Sequence, residues 1–189
     1  MPKLILLRHL QSQWNKENRF TGWIDIPLSE EGIKSAKEVA KKLEGIKIDK
    51  VYTSPLSRNR ETVSLILGNL GKKDLPVIID KALDERNYGK LQGLNKDEIK
   101  KKYGEKQVRL WRRSWSEAPP EGESLKDVFS RTIPFYKRYI EKDLREGRNI
   151  LVVASHNSLR ALVKYLEKIP DEEIINLEIP TASIREYEF

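Results

Sequence analysis

The chain has two histidines, His9 and His156, and each follows an apolar run. Leu4 to Leu7 leads into Arg8 and His9, and Asn149 to Ala154 (NILVVA) leads into Ser155, His156 and Asn157. A third run, Lys50 to Ser54, leads into Pro55-Leu56-Ser57-Arg58. Cations and imidazoles are not buried without partners, so these ends either hold satisfied structural groups or deliver them to an anion. The residue types suit phosphoryl transfer. A neutral imidazole nitrogen is a good nucleophile near pH 7. A transferring phosphoryl group spreads charge over three oxygens, which arginine and protonated imidazole stabilise. Arg8 and Arg58 offer fork-shaped donors for it. Glu85, in LDERNYG, supplies a carboxylic acid that could protonate a leaving oxygen. Taken singly, a histidine is more often a satisfied structural residue than a catalyst, and Glu85 by itself reads as a surface acid paired with Arg86. In Trp111-Arg112-Arg113-Ser114, adjacent arginines on a helix point about 100° apart. They either grip a carboxylate or second phosphate from two directions or form a solvated basic face. Trp14 and Trp23 read as packing residues.

The elements that must position these groups follow from periodicity. Leu4–Leu7, Lys50–Ser54, Val77–Ile79 and Asn149–Ala154 read as strands, and Ser183–Phe189 alternates as a last one. Ser29 is an N-cap with acids behind it, and Ile33, Ala36, Ala40 and Leu43 then fall on one helical face that Gly45 ends. Further helices are expected over 56–70, 96–115 (broken at Tyr103-Gly104), from Ser124 past a kink at Pro134, and over 157–167. Residues 84–93 read as a loop and 118–122 as a turn. Strands alternating with helices argue for a three-layer α/β/α sandwich around a mostly parallel sheet. In such folds ligands bind beyond the carboxyl ends of the strands, where both histidines and two of the arginines fall.

At 189 residues, one domain over the whole chain is expected. The net charge is +7, with 36 basic and 29 acidic residues interleaved. This suits solubility first, and beyond it either a small anionic substrate drawn by a positive cleft or nucleic acid. The basic residues form no stripe with interleaved aromatics, which puts nucleic acid last. The absence of cysteine excludes disulfides and thiolate chemistry, and two histidines make a His-rich metal site unexpected. With no signal peptide and no apolar run near 18 residues, a cytoplasmic location without membrane association is expected.

With RH at a strand end, then NKENRFTGW, LSEEG, YTSPLSR, ERNYGKLQGLNK, YGEKQV, WRRS, ESLKD and HNSLRALVKYL in order, the sequence resembles the cofactor-dependent phosphoglycerate mutases of the histidine phosphatase superfamily. The resemblance runs from about Lys3 to Ile184. It implies interconversion of 3-phosphoglycerate and 2-phosphoglycerate in glycolysis and gluconeogenesis, primed by 2,3-bisphosphoglycerate and needing no metal. His9 would be the nucleophile that becomes phosphohistidine, with Arg8, Arg58 and His156 around the phosphoryl group and Asn15 and Ser12 nearby. Glu85 would donate and accept the proton. Thr21 and Gly22 would touch the substrate, and Tyr88, Lys96, Arg112, Arg113 and Asn157 would hold its carboxylate and other phosphate. A hydrolase of the same fold, acting on another small phosphate ester, is the alternative, and a phospho-ligand binder without catalysis a third reading. Relatives commonly pair through sheet edges, so a homodimer is an assembly the resemblance allows.

Three departures stand out. The family writes Arg-His-Gly, and Leu10 takes the place of that glycine, whose freedom and open space Leu lacks. The family's His-Gly-Asn-Ser-Leu-Arg is here Ser155-His156-Asn157-Ser158-Leu159-Arg160. Deleting one glycine keeps His156 in its role, whereas an ungapped alignment puts Ser155 on the histidine; the deletion is preferred, with the two changes compensating in space. Finally, the segment Ser116–Gly122 and the C-terminal tail are short. A more open site would let water reach the phosphohistidine, so some phosphatase leakage is expected.

Overall fold

The computed structural model describes residues 1–189. Five strands, β1 (Lys3–Arg8), β2 (Lys50–Thr53), β3 (Val77–Ile79), β4 (Ile150–Ala154) and β5 (Ile184–Glu188), form one sheet in the order β3-β2-β4-β1-β5. The first four run parallel, and β5 pairs antiparallel with β1. The helices are α1 (Gln13–Lys16), α2 (Glu30–Lys41), α3 (Ser57–Asn69), α4 (Lys96–Tyr103), α5 (Glu105–Arg113), α6 (Leu125–Phe135), α7 (Glu141–Arg145) and α8 (His156–Glu167).

Side-chain alternation along the strands divides the core into two layers. Leu4, Leu6, Tyr52, Ile150 and Val152 face one side, where Ile133, Leu159 and Leu162 of α6 and α8 cover them. Ile5, Leu7, Val51, Leu151 and Val153 face the other, under Ala36, Val39, Val63 and Ile66 of α2 and α3. The strands are therefore apolar on both faces, as parallel strands between helices must be. The expected α/β/α sandwich is present.

Local differences from the sequence reading have physical causes. Ile33 is 47% exposed rather than on the buried face of α2. That helix instead approaches through Gly32, where an added Cβ would lie 2.2 Å from the Gln11 carbonyl oxygen, and this close approach turns Ile33 outward. Helix α5 stops at Arg113, two residues earlier than expected, with the Ser114 hydroxyl donating to the Leu110 carbonyl (2.6 Å). The break at Pro134 takes the form of a wide π turn over Tyr136–Ile140 between α6 and α7, as expected where proline interrupts the ladder. Residues 84–93 contain one 3₁₀ turn, Gly89–Leu91. The short helix α1, capped by Ser12, was not foreseen; the polar stretch that forms it has no apolar period.

Register brings three strand ends level. Arg8 pairs with Ala154, Thr53 pairs with Val153, and the His9 amide donates to the Ala154 carbonyl (3.1 Å). Because β4 lies between β1 and β2, His9, Ser54 and His156 emerge side by side, with backbones about 5 Å apart from strand to strand.

Candidate active site

His9 is the first residue beyond β1 and is buried. Its Nδ1 lies 2.7 Å from the Leu10 carbonyl oxygen. A carbonyl only accepts, so Nδ1 carries the hydrogen and Nε2 keeps a free lone pair. Burial, reinforced by Arg58 and Arg8, holds its pKa well below the usual 6.5, so the ring is neutral at pH 7. His156 opens α8, and burial followed by Arg8 and Arg113 holds it neutral likewise. Its Nε2 lies 3.0 Å from the Glu178 carboxylate, and Arg113 Nη1 lies 3.2 Å from Nε2 and 3.3 Å from Nδ1. A carboxylate only accepts, so a neutral ring in this contact donates Nε2–H to Glu178.

Both imidazoles line one cavity of about 180 Å³ at the carboxyl edge of the sheet. Arg8, Asn15, Thr21, Gly22, Arg58, Glu85, Tyr88, Lys96, Arg112 and Arg113 share its wall. Ser12 and Asn157 are not part of that wall but bond to residues that are, Ser12 to Asn15 and Asn157 to Glu85 and Tyr88. The Ser12 hydroxyl accepts from the Asn15 amide at the start of α1, while the Asn15 side chain accepts from the Ser12 amide. Asn157 is fully buried: Oδ1 accepts from Arg86 (3.2 Å) and Arg160 (3.0 Å), and Nδ2 donates to the Tyr88 hydroxyl (3.2 Å). The capping box orders α1, and Asn157 supports Tyr88, from outside the cavity.

Glu85 is 6% exposed and not a surface acid. One carboxylate oxygen accepts from the amides of Arg86 (2.6 Å) and Asn157 (3.1 Å). The second amide belongs to the first turn of α8, where the helix dipole favours a negative charge. Trp23 is 47% exposed, against the expectation that it packs, and its indole N–H donates to the Glu85 carbonyl (2.7 Å). Arg58 is buried and donates to the carbonyls of Gly22 (2.8 Å) and Ile24 (3.3 Å), pinning the TGW loop. Gly22 has φ +66°, and a Cβ there would meet Gln92 Oε1 at 2.2 Å, so this wall needs glycine.

The two glycine departures resolve in different ways. Leu10 is fully buried, and its side chain packs in the apolar layer with Leu7, Leu28 and Val63, not into the cavity. Its backbone is outside the left-handed region, and its amide donates to the Thr62 hydroxyl (3.1 Å). Neither open space nor positive φ is required at this position. At the second motif, His156 lines the cavity whereas Ser155 turns away, its hydroxyl accepting from Asn59 (3.1 Å). This is the outcome of deleting one glycine, and the two imidazoles share one cavity.

Sequence reasoning missed Arg19, Phe20 and Glu178 in the wall. Arg19 and Phe20 sit inside the quoted NRFTGW, which was a usable signal; Glu178 lies in an irregular segment with none. It also missed Arg86 and Arg160, two fully buried cations behind the site. Arg86 donates to the Trp111 carbonyl, and Arg160 to those of Arg112 (3.4 Å) and Arg113 (2.7 Å). These are the last carbonyls of α5, where a cation is favoured. They fix the helix end so that Arg112 and Arg113 both line the cavity.

Six cationic side chains (Arg8, Arg19, Arg58, Lys96, Arg112, Arg113) thus surround two carboxylates, Glu85 and Glu178. Burial, then Arg112, Arg8 and Arg113, lower the Lys96 pKa to about 8. The Arg8 Nε is buried without a partner. A cavity this cationic, lined by two neutral imidazoles, suits an anionic ligand. The chain belongs to the histidine phosphatase superfamily (branch 1), whose sequence model matches residues 4–189. It is 48% identical over 189 residues to a protein of Cytophaga hutchinsonii named 2,3-bisphosphoglycerate-dependent phosphoglycerate mutase, covering 100% of this chain and 88% of that one. A protein of the same name from Bradyrhizobium diazoefficiens is 49% identical over 181 residues, covering 95% and 87%. Among solved structures, a mycobacterial glucosyl-3-phosphoglycerate phosphatase superposes with a TM-score of 0.87 at 28% identity, covering 98% of this chain and 92% of that one. No helix is long and apolar enough to cross a membrane.

Proposed function

We propose that this protein is a 2,3-bisphosphoglycerate-dependent phosphoglycerate mutase, an isomerase that interconverts 3-phosphoglycerate and 2-phosphoglycerate through a phosphohistidine. The observation that carries the reading is one cavity holding a neutral His9 with a free Nε2, His156, Glu85 and two groups of cations. Its relatives at 48–49% identity bear that name.

His9 Nε2 takes the phosphoryl group, and the Leu10 carbonyl holds the Nδ1 proton and stabilises the ring as it gains charge. Arg8, Arg58 and His156 surround the transferring oxygens. Glu85 passes the proton to and from the substrate oxygen with its outward carboxylate oxygen. Arg112, Arg113, Lys96 and Tyr88 hold the carboxylate and the phosphate that does not react, with Asn15, Thr21 and Gly22 completing the wall. The cationic wall and the unpartnered Arg8 Nε fit 2,3-bisphosphoglycerate; when bound it supplies the priming phosphoryl group. The whole chain acts as one domain, soluble in the cytoplasm, with no metal, nucleic acid or membrane in its work.

The test is a coupled assay from 3-phosphoglycerate, with and without a trace of 2,3-bisphosphoglycerate and with a chelator present. Turnover that depends on the bisphosphate and ignores the chelator supports the reading. Release of inorganic phosphate in place of 2-phosphoglycerate would replace it with a phosphatase. That second reading has its own observation: no residue of 116–122 lines the cavity, so this short segment does not cover it against water.

A further inference from the structure

We propose that Glu178 is a specificity-determining residue of this pocket: its carboxylate occupies an anion position on Arg113 and His156, and a phosphoglycerate binds there by displacing it. The inference rests on the mutase reading for the identity of the ligand, not for the existence of the competition.

The Glu178 carboxylate pairs with Arg113 Nη2 through one oxygen and accepts from His156 Nε2 (3.0 Å) through the other. One donor, the neutral His156, lies beside Arg8 and the other, Arg113, beside Arg112, at the two ends of the cavity that a phosphoglycerate must reach together. Glu178 therefore bridges the phosphoryl end of the cavity and its carboxylate grip. Its charge also favours the protonated forms of Arg8, Arg113 and Arg160.

The segment that carries Glu178 is tethered on both sides. The Leu177 carbonyl accepts from Arg160 Nε (3.1 Å), and the Ile179 carbonyl accepts from Arg8 Nη1 (2.5 Å). The backbone is held while the side chain stays 51% exposed. Displacement then needs a side-chain rotation into solvent and no loop movement. Carboxylate and phosphate oxygens make the same charge-assisted contacts with a guanidinium, so ligand and Glu178 compete for the same donors. A ligand that spans both groups meets the full competition, and a small anion at the His9 end meets less. The cost falls mainly on ligands that reach both Arg113 and His156, so Glu178 narrows the preference of the pocket for a phosphorylated carboxylic acid over simple phosphate.

Calorimetric titration of the full chain with 3-phosphoglycerate and with orthophosphate tests this directly. Glu178→Gln is expected to tighten 3-phosphoglycerate by roughly two- to fivefold and orthophosphate by less, the size appropriate to a half-exposed charge pair. Glu178→Asp, whose charge is one methylene shorter, is expected to fall between. Unchanged or weaker binding of 3-phosphoglycerate by folded Glu178→Gln overturns the proposal, as does equal tightening of both ligands. The titration needs no turnover. Tightening without isomerisation would overturn the mutase reading alone, and isomerisation without tightening would overturn this inference alone.

Discussion

Replacing Leu10 by Ala separates two explanations for a large residue beside the nucleophile. Leu10 is fully buried and its side chain packs with Leu7, Leu28 and Val63 in the layer beneath α2 and α3. Its contributions to the site are backbone ones: the carbonyl that holds His9 Nδ1 and the amide bound to Thr62. Truncating a leucine in such a place removes its transfer energy and leaves a cavity, together about 3 kcal/mol within a range of ~2–5. For a chain of this length that is a fall in Tm of about 6–12 °C. The backbone contacts survive, so kcat and KM at 25 °C are expected to stay within about twofold. Urea denaturation with an unchanged slope, paired with steady-state kinetics on the same preparation, reads both quantities. The reasoning fails if the variant keeps its stability within about 0.5 kcal/mol while kcat/KM moves tenfold. That result would put the side chain against the ligand.

Glu85→Gln keeps an oxygen for the Arg86 and Asn157 amides but loses the exchangeable proton, so kcat should drop by ~10²–10⁴ with ligand affinity little changed; a kcat within tenfold of the parent removes Glu85 from proton transfer. Arg113→Ala loses a charged grip worth about 1.5–3 kcal/mol, which corresponds to roughly a ten- to hundredfold rise in KM and a smaller fall in kcat. An unchanged KM would show that the second group of cations does not hold the ground state. Lys96, with its pKa at about 8, is charged below that pH and neutral above it, so KM for 3-phosphoglycerate should rise as pH passes about 8. Lys96→Met should abolish that limb, and a limb that persists in the variant assigns it to another group.

The local chemistry was legible in the sequence because it is written in neighbours. Apolar runs that end in Arg8-His9, in Ser54 to Arg58 and in Ser155-His156 name both the strands and their cargo, and Ser29 and Ser124 mark helix starts by their side-chain caps. Alternation of strand and helix was enough for the α/β/α sandwich. Where Leu10 points was not legible, because the sign of that departure depends on which face of the strand end meets α2 and α3, a contact between segments far apart in sequence. The same holds for the exposure of Ile33, decided by the approach of Gly32 to Gln11, and for Asn157, drawn away from the cavity by Arg86 and Arg160. Glu178 is the clearest case: an acid in an irregular segment, brought onto Arg113 and His156 by carbonyls tethered to Arg160 and Arg8. The sequence by itself determined which residue types the candidate site would offer and which strands deliver them, since those are matters of residue type and local period. The tertiary structure alone decided which groups face one another, how far burial holds the imidazoles neutral, and which carboxylate shares the arginines, because burial and charge pairing are properties of the assembled chain.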